Sequence, residues 1–299
     1  MSDKTGIEWT DATWNPVTGC TKVSPGCDHC YAETMHERFH SKGSFATVTL
    51  APHRLAVPLS WRKPRRVFVN SMSDLFHNDI PDEYVVQIFA VMALAPRHTF
   101  QVLTKRHARM RSLLSTDTFR QAVLVEAHRE KWGLNADLAR WEWPLPNVWL
   151  GVSTEDQKWA DIRIPALLDT PAAVRWISAE PLLGPIDLGA AALVPYEREQ
   201  GGFWRYGART GVHGEDKTWV PAPPAQLDWV VVGGESGPGA RPMHAEWARS
   251  LRDQCRRAGT PFLFKQWGAH DASGKRVGKG KAGRQLNGRT HDEYPAAAS

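Results

Sequence analysis

Short apolar runs recur along the chain, and each is followed by a polar cluster and then by a longer stretch with helical spacing. The runs are five or six residues long and almost continuously apolar, which is typical of strands buried on both faces of a parallel sheet. We predict strands at Ala12–Val17, Arg66–Ser71, Thr99–Thr104, Asn147–Val152, Val174–Ser178, Leu227–Val232 and Pro261–Lys265.

The stretches between these strands carry apolar residues at three- and four-residue spacing, as amphipathic helices do. The predicted helices are Tyr31–His40, Asp82–Ala95, Thr154–Leu168 and Ala245–Ala258. Strands and helices that alternate in this way form βαβ units with right-handed crossovers. The pattern therefore predicts an α/β fold with six to seven parallel strands. The sheet is either open and doubly wound or a complete or partial (β/α) TIM-like barrel.

A repeated motif favours the barrel. Trp149, Trp176 and Trp229 each lie in a predicted strand, and each is followed, just beyond the end of the strand, by a Ser and a Glu. The pairs are Ser153 with Glu155, Ser178 with Glu180, and Ser236 with Glu235. Equivalent units around an axis would bring these pairs to one mouth, where barrel enzymes hold their active sites. The alternative is that they cap the following helices, which explains Glu180 poorly because Pro181 follows it.

Two stretches interrupt the alternation, and we predict that they are insertions in a single barrel domain spanning residues 1–299. The first, near 113–146, is longer than one helix needs. The second, near 184–226, joins two predicted strands, and long connections of this kind are often lids or binding loops. The alternative is a small satellite subdomain that packs on its own aromatic residues, which are Tyr196, Phe203, Trp204, Tyr206 and Trp219.

Charge and hydropathy narrow the class of protein. The first residues are polar without an apolar signal region, and no apolar run is long enough to cross a bilayer, so we expect a cytoplasmic protein without a membrane partner. The formal net charge of +5 permits an anionic partner without requiring one. A basic, Gly-rich carboxy-terminal segment, 273–295, predicts either contacts with DNA or RNA phosphates or a solvated tail. Its basic residues up to Thr290 are Lys275, Arg276, Lys279, Lys281, Arg284 and Arg289.

Three of the four cysteines, Cys20, Cys27 and Cys30, lie within eleven residues, after the first predicted strand and before the first helix. Thiolates gathered so closely in a cysteine-poor chain most often bind a soft metal or an iron–sulfur cluster. A disulfide would leave one cysteine of the three unpaired and rarely persists in the cytosol. Zinc would need a fourth ligand, for which His36 or His40 is available.

These cysteines belong to a set of short motifs that extends from Ile7 to about Pro295. In the motifs the chain resembles a phage-associated family, the three-Cys-motif phage proteins. A cysteine loop after the first barrel strand also resembles a variant of the radical S-adenosylmethionine superfamily. That superfamily usually has C-x3-C-x2-C and a Gly-Gly-Glu after strand two, whereas this chain has C-x6-C-x2-C and Asn70–Asp74. The motifs are Ile7–Asp11, Thr13–Pro16, Gly19-Cys20, Cys27 with Cys30-Tyr31-Ala32, Ser71–Phe76 and Gly233–Gly237.

The resemblance implies a [4Fe–4S] cluster whose irons are ligated by Cys20, Cys27 and Cys30, with S-adenosylmethionine on the fourth iron. Reductive cleavage of S-adenosylmethionine would give a 5′-deoxyadenosyl radical that abstracts hydrogen from a substrate. Candidates for contact with S-adenosylmethionine are Asn70, Ser71, Asp74, Thr104, Lys105, Ser153 and Glu155. The candidate catalytic residues facing substrate are Glu180, Glu235 and Lys265, with Gln266 beside them.

Three functions are compatible with these observations. The first is a radical enzyme that modifies or repairs nucleic acid or a nucleotide, which the cysteine loop and the basic segment favour. The second is a zinc-stabilised nucleic-acid-binding protein without catalysis. The third is a radical enzyme that acts on a peptide or small metabolite. In each case a partner protein could supply the target.

Overall fold

The structure is a computed structural model, and seven strands in its described part form one parallel sheet. The order of the strands across the sheet is their order along the chain, whereas a doubly wound sheet reverses its order at a switch point. The described residues are 5–39, 44–132, 142–193 and 225–296, with short strands at 211–213 and 219–221. The sheet contains β1 (Ala12–Trp14), β2 (Arg66–Val69), β3 (Thr99–Thr104), β4 (Val148–Ser153), β5 (Val174–Ala179), β6 (Trp229–Gly233) and β7 (Phe262–Gln266).

The sheet curls around one indole ring. The ring of Trp9 lies 4.7 Å from that of Phe68 on β2 and 6.2 Å from that of Trp229 on β6. In a flat sheet, strands four places apart would be separated by about 19 Å, at about 4.8 Å per strand. One side chain can contact both strands only because the sheet is strongly curved. The sheet is a half-barrel whose edges, β1 and β7, do not pair in the described residues, and the predicted partial (β/α) TIM-like barrel is confirmed.

The six later strands lie where the apolar runs predict them, with ends shifted by no more than two residues. The first strand is shorter than the predicted Ala12–Val17. It leaves the sheet after Trp14, and Val17–Thr18 instead pairs antiparallel with Thr49–Leu50 in a separate two-stranded ribbon. Pro16 lies at the change of direction, and a proline has no backbone N–H with which to continue a central ladder.

Helices follow most of the strands, and the helix Ala245–Ala258 has the predicted bounds. The predicted helix start at Thr154 is wrong, because the Asp156 carboxylate accepts a hydrogen bond from the Trp159 N–H and caps the helix that begins at Gln157. His40, at the end of the first predicted helix, lies outside the described residues. The helices are α1 (Tyr31–Phe39), α2 (Val57–Ser60), α3 (Asp82–Leu94), α4 (His107–Leu114), α5 (Asp117–Ala127), α6 (Gln157–Leu168), α7 (Gly189–Leu193), α8 (Ala245–Ala258) and α9 (Lys279–Ala282).

No helix in the described part of the chain combines the length and the apolar character that a membrane crossing requires.

The predicted insertion at 113–146 contains α5, which packs on α3. The ring of Phe89 on α3 lies 5.3 Å from that of Phe119 on α5 and 6.1 Å from that of Trp143, so this stretch adds a second helix to the layer outside β3 and β4. Of the predicted insertion at 184–226, the structure describes α7 and the paired strands 211–213 and 219–221. The residues outside the description include Tyr196, Phe203, Trp204, Tyr206 and the side chain of Trp219.

Side chains alternate between the two faces of each strand, and two apolar clusters result. The larger cluster lies between the outer face of the sheet and the helices, and it includes Val67, Val102 and Phe264. The smaller one, which we call the inner cluster, fills the concave side. A Cβ atom on Gly151 would lie 2.4 Å from the Trp176 ring, so the indole covers this glycine and leaves no room there for a side chain. The inner cluster contains Trp9, Phe68, Trp149, Val174, Trp176, Trp229, Val231 and Leu263.

The open side of the half-barrel is covered by the two ends of the described chain. The indole N–H of Trp229 donates to the Glu293 carbonyl oxygen at 2.8 Å, and the ring of Tyr294 lies 5.3 Å from the same indole. The Tyr294 hydroxyl also reaches the carbonyl oxygen of Glu8 at 3.5 Å. These contacts close the concave interior at the side that the sheet leaves open.

Candidate functional site

The carboxyl ends of the strands converge at one end of the half-barrel, which we call the mouth. Residues two and four positions beyond an inward-facing tryptophan point to the same side of the strand. This alternation accounts for three of the motif's six polar residues, and the loop after β6 adds two more, so five of the six line a single cavity. These residues are Ser153, Ser178, Glu180, Glu235 and Ser236. Glu155 is the exception, since it does not line the cavity.

We call this cavity the chamber, and its volume is about 320 Å³. Its floor is apolar and is formed by residues that include Trp9, Phe68 and Leu103. Its polar wall includes Lys265 and Gln266, which follow one another at the end of β7. All three predicted catalytic residues, Glu180, Glu235 and Lys265, line it.

A second cavity of about 140 Å³, the thiol pocket, lies beside the three clustered cysteines. Cys20, Cys27 and Cys30 all line it, and each is a free thiol. Six of the seven predicted cofactor residues also line it, which are Asn70, Ser71, Asp74, Thr104, Lys105 and Ser153. The seventh, Glu155, lies beneath the loop that carries the cysteines.

The thiol pocket and the chamber are neighbours, because several residues line both of them. Tyr31, directly after the last cysteine, is half exposed between them, and its hydroxyl donates to the Ser71 carbonyl oxygen. Lys105 donates to the Ser153 hydroxyl at 3.2 Å on the opposite wall. A ligand in the pocket and a ligand in the chamber would therefore meet. The shared residues are Gly26, Cys30, Tyr31, Phe68, Leu103, Lys105 and Ser153.

Three arginine–carboxylate pairs, which come from the ends of four strands, hold the cysteine loop, Gly19–Cys30. The first pair joins Asp74, after β2, to Arg106, after β3, at 3.4 Å. The same guanidinium lies 3.5 Å from the Cys20 sulfur and donates to the Thr21 carbonyl oxygen at 3.1 Å. Burial, followed by the Asp74 carboxylate, raises the pKa of Cys20 to about 11, and Arg106 opposes that rise. The thiol is thus protonated at neutral pH until a positively charged ligand favours the thiolate.

The second pair is fully buried. Arg163 on α6 donates to Glu155 at 2.8 Å, and neither side chain has any exposed surface. The other carboxylate oxygen of Glu155 accepts from the Ser24 hydroxyl at 2.6 Å. A Cβ atom on Gly26 would lie 2.4 Å from Glu155, so the cysteine loop passes directly over this carboxylate. Glu155 therefore supports the loop from below.

The third pair connects the loop after β6 with the cysteine loop. Arg241 donates to both carboxylate oxygens of Glu235, at 2.6 and 2.9 Å. The guanidinium also donates to the Pro25 carbonyl oxygen at 2.8 Å and to Asp28 at 3.2 Å. Glu235, a predicted catalytic residue, is thus already engaged as a partner of the arginine that holds the loop.

Glu180 and Lys265 form a separate ion pair in the chamber. The Lys265 ammonium lies 2.8 and 3.0 Å from the two carboxylate oxygens of Glu180. The Gln266 amide nitrogen donates to Glu180 at 3.3 Å and to the Ser236 hydroxyl at 3.1 Å, while its amide oxygen is buried and finds no partner among the described residues. Carboxylate, ammonium and amide therefore meet at one wall, which is a group that can bind a polar ligand and exchange a proton with it.

Asn70 has an unusual backbone conformation in the thiol pocket. Its φ is 58°, in the left-handed region that non-glycine residues seldom adopt. The side chain is buried, and neither its amide nitrogen nor its amide oxygen has a partner in the described residues. Strain and unpaired polar atoms of this kind concentrate at binding sites. Ser71 beside it donates to the Asn15 side-chain oxygen at 3.2 Å.

Sequence reasoning missed the residues that hold the cysteine loop: Arg106, Arg163, Arg241 and Ser24. For Arg106 a signal was available, since it follows Lys105 directly at the end of a predicted strand. Arg163 and Arg241 belong to no motif that we can identify in the chain. Their partners become evident only when the strand ends are brought together in space.

The three thiols are a suitable donor set for an iron–sulfur cluster, because thiolates are the usual ligands of such clusters and each binds one iron. The three sulfurs border one small pocket, and an unpaired amide, that of Asn70, lies in the same wall. Among the described residues, no group of three or more His, Cys, Asp or Glu side chains is arranged around a single metal-ion position.

Comparison with known proteins identifies a family. A family model described as a protein of unknown function (DUF5131) matches residues 4–295. The chain therefore belongs to the DUF5131 family. No curated protein and no solved structure matches it.

Proposed function

We propose that this member of the DUF5131 family is an enzyme that binds a [4Fe–4S] cluster and S-adenosylmethionine and modifies or repairs nucleic acid or a nucleotide by radical chemistry. One observation carries the proposal: three free thiols border a small pocket that shares a wall with a polar chamber. The resemblance to three-Cys-motif phage proteins and to the radical S-adenosylmethionine superfamily supports the same interpretation.

Cys20, Cys27 and Cys30 would hold the cluster. When bound, the cluster and S-adenosylmethionine supply hydrogen-atom abstraction, the step that protein side chains do not provide. Asn70 offers an unpaired amide donor and acceptor in the thiol pocket for the polar groups of S-adenosylmethionine. Lys105, at the wall common to both cavities, contributes a positive charge that suits the carboxylate of that ligand.

In the chamber, the chain's own residues would bind and orient the substrate. Lys265 can donate a proton to a substrate heteroatom, and Glu180 can accept one, because the two groups already share a hydrogen bond at 2.8 Å. Trp9 and Phe68 form an apolar floor beneath them. An apolar floor excludes water from the reacting atoms, which protects reactive intermediates from side reactions.

The basic carboxy-terminal segment supports nucleic acid as the substrate class, since its Lys279 lines the chamber. We also propose that the protein acts in the cytoplasm, because four free thiols suit a reducing compartment.

Anaerobic reconstitution tests the proposal. The wild-type protein is expected to be brown and to hold about four irons and four sulfides per chain. Cys27→Ala should lose most of both, whereas Cys255→Ala, which removes a buried thiol on α8 outside the pocket, should keep them. With dithionite and S-adenosylmethionine, the reconstituted wild type should release 5′-deoxyadenosine, and Cys27→Ala should not.

Two results would overturn the proposal. One is a colourless protein that carries about one zinc and no sulfide, which would establish the zinc-stabilised nucleic-acid-binding alternative. The other is equal iron content in wild type and Cys27→Ala, which would show that the clustered thiols are not the ligands.

A further inference from the structure

We propose that the chamber receives one unpaired base of a single-stranded polynucleotide, while Arg276, Lys279 and Lys281 bind the phosphates of flanking nucleotides. The inference rests on the proposed function for its chemistry. Its binding step requires only the chamber and the basic segment, so that step can be measured on protein with or without the cofactor.

The chamber has the size and the walls for a single base. Its volume of about 320 Å³ is at the lower end of the range for small-molecule sites, about 300–1,000 Å³. Tyr31 is 51% exposed at its edge, and its orientation is fixed by the hydrogen bond from its hydroxyl to Ser71. A fixed, exposed aromatic ring is the usual platform on which an unstacked base binds.

The polar wall of the chamber matches the edge of a base. Bases present hydrogen-bond donors and acceptors side by side, and enzymes read an everted base through that edge. Here Glu180 offers acceptor oxygens, Lys265 offers donors, and the buried amide oxygen of Gln266 has no partner in the described part of the chain. A purely apolar metabolite would leave all three without a ligand group to bind.

The basic segment is folded against the mouth and does not extend as a solvated tail. The Val277 N–H donates to the Ala269 carbonyl oxygen at 3.0 Å, and Arg276 donates to the Gly237 carbonyl oxygen at 3.0 Å. Lys279 lines the chamber and lies 3.3 Å from Glu8. Within the described chain, Arg276 and Lys281 make no ion pair, so their charges are available to phosphates. The positive charge is therefore placed at the rim of the chamber.

This arrangement favours a single strand over a duplex or a free nucleotide. A base inside a duplex is stacked and paired, and it reaches an enclosed chamber only after it is turned out of the helix. A free nucleotide would fill the chamber but would have no flanking phosphates for Arg276 and Lys281. A single strand satisfies both parts of the site.

The test measures binding of a fluorescent single-stranded oligonucleotide of about 12 nucleotides to the full-length protein as salt is varied. The triple variant Arg276→Gln/Lys279→Gln/Lys281→Gln should bind at least tenfold more weakly. Its slope of log affinity against log salt should fall by about two, at about 0.7 per phosphate contact. The matched control Arg120→Gln/Lys158→Gln/Arg257→Gln removes the same charge from exposed positions on outer helices and should bind like the wild type.

A second pair of variants tests the chamber itself. Tyr31→Ala should weaken binding roughly 5- to 100-fold, the range for loss of one base–aromatic stack, whereas Tyr31→Phe should stay within about threefold because its ring still stacks. Circular dichroism melting of each variant confirms that it is folded.

Three outcomes would overturn the inference. They are equal salt slopes for the two triple variants, tighter binding of a duplex than of the single strand, and competition by a mononucleotide as effective as that by the oligonucleotide. None of them alters the iron and sulfide content on which the proposed function depends. Conversely, loss of the cluster in every preparation would leave a positive binding result intact.

Discussion

The inner cluster and the mouth are built from the same strands, yet their chemistry is opposite. In the inner cluster, the four tryptophans Trp9, Trp149, Trp176 and Trp229 are each no more than 5% exposed. The ring of Trp176 lies 5.1 Å from that of Trp9 and 5.3 Å from that of Trp229. At the mouth, at the carboxyl ends of the same strands, the side chains that approach each other are thiols, carboxylates and guanidinium groups.

The comparison shows that one region stabilises the fold, whereas the other positions the cysteine loop. Apolar burial is non-directional and contributes free energy in proportion to area, so the inner cluster stabilises the half-barrel without specifying a site. Buried ion pairs lose much of their Coulomb energy to desolvation, but they are directional. Three ion pairs at the mouth, which range from fully buried to partly exposed, hold the cysteine loop in one position. The strands therefore provide the stability that permits the mouth to keep so many buried charges.

The largest expected effect is on the inner cluster. Trp176→Ala should lower the free energy of unfolding by about 3–5 kcal/mol, because it removes a fully buried indole and leaves a cavity. Chemical denaturation measures the loss. Val125→Ala, on an exposed position of α5, should change stability by less than about 0.5 kcal/mol. Equal effects for the two variants would contradict the assignment of stability to the inner cluster.

At the mouth, Glu155→Gln should lower the free energy of unfolding by about 3 kcal/mol, because it leaves the Arg163 charge buried without its counter-ion. The double variant Glu155→Gln/Arg163→Met should recover much of that loss, since it removes the uncompensated charge as well. In cofactor-free protein, both variants should alkylate faster than the wild type at Cys27 when treated with iodoacetamide. A single variant and a double variant of equal stability would show that the pair is not coupled.

Arg241→Ala separates the two effects further. It should increase the accessibility of the cysteine loop strongly while lowering the free energy of unfolding only slightly. Its guanidinium is partly exposed, so a cost of only about 1–2 kcal/mol is expected. The cysteine loop loses two hydrogen bonds from that side chain, those to Pro25 and Asp28, and Glu235 loses the other two. Mass spectrometry should show faster alkylation of Cys27 and Cys30.

The matched control for this prediction is Arg249→Ala, which removes an arginine that is similarly exposed and that pairs with Glu246 on α8 and donates to Asn287 at 2.9 Å. It should change stability by less than about 0.5 kcal/mol and leave the alkylation rates unchanged. If both arginine variants alkylate alike, the pair formed by Arg241 and Glu235 does not position the loop.

The smallest expected effect is a loss of stability at low pH, and it arises from two buried histidines that belong neither to the inner cluster nor to the mouth. Burial lowers the pKa of His98 and of His291, so both are neutral in the folded protein. In the unfolded chain they take up protons below a pKa of about 6.5. The free energy of unfolding is therefore highest above about pH 6.5. It falls as the pH decreases towards the lower pKa of the folded state, by about 1 kcal/mol near pH 5.5.

Denaturation curves between pH 7.5 and pH 5.5 measure this loss. The double variant His98→Gln/His291→Gln should have a flatter profile, and His128→Gln, at an exposed position, should keep the wild-type profile. A pH dependence that persists in the double variant would point instead to His77 and His107, because burial lowers the pKa of each of these side chains as well.

The strands and their order could be predicted because the signal is local. A buried parallel strand is an apolar run such as Val148–Ser153, and the recurrence of Trp with Ser and Glu reveals equivalent units. The helix start at Gln157 was less accessible, because Thr154 and Asp156 are both good capping residues and only the fold buries the first of them. The local sequence thus predicts which segments form strands and helices, whereas the choice between two equally good capping residues depends on which of them the fold buries.

The candidate site was predictable where residues share a strand end and unpredictable where they meet across the mouth. Cys20, Cys27 and Cys30 are close in sequence, so their common pocket follows from spacing. Arg241 and Asp28 are 213 residues apart, and no pattern in the chain relates them. The same applies to Trp9, whose place at the centre of the inner cluster depends on the curvature of the sheet.

The contact between Glu8 and Tyr294 has a practical consequence. Polypeptides attached before the first of these residues and after the second start from neighbouring points, beside the chamber that Gly6 and Ile7 help to line. A short linker could join the two positions, and the chain could be cut open again in a surface turn far from the cysteines. Circularly permuted forms, or a double tether to a support, should therefore preserve the binding end of the molecule.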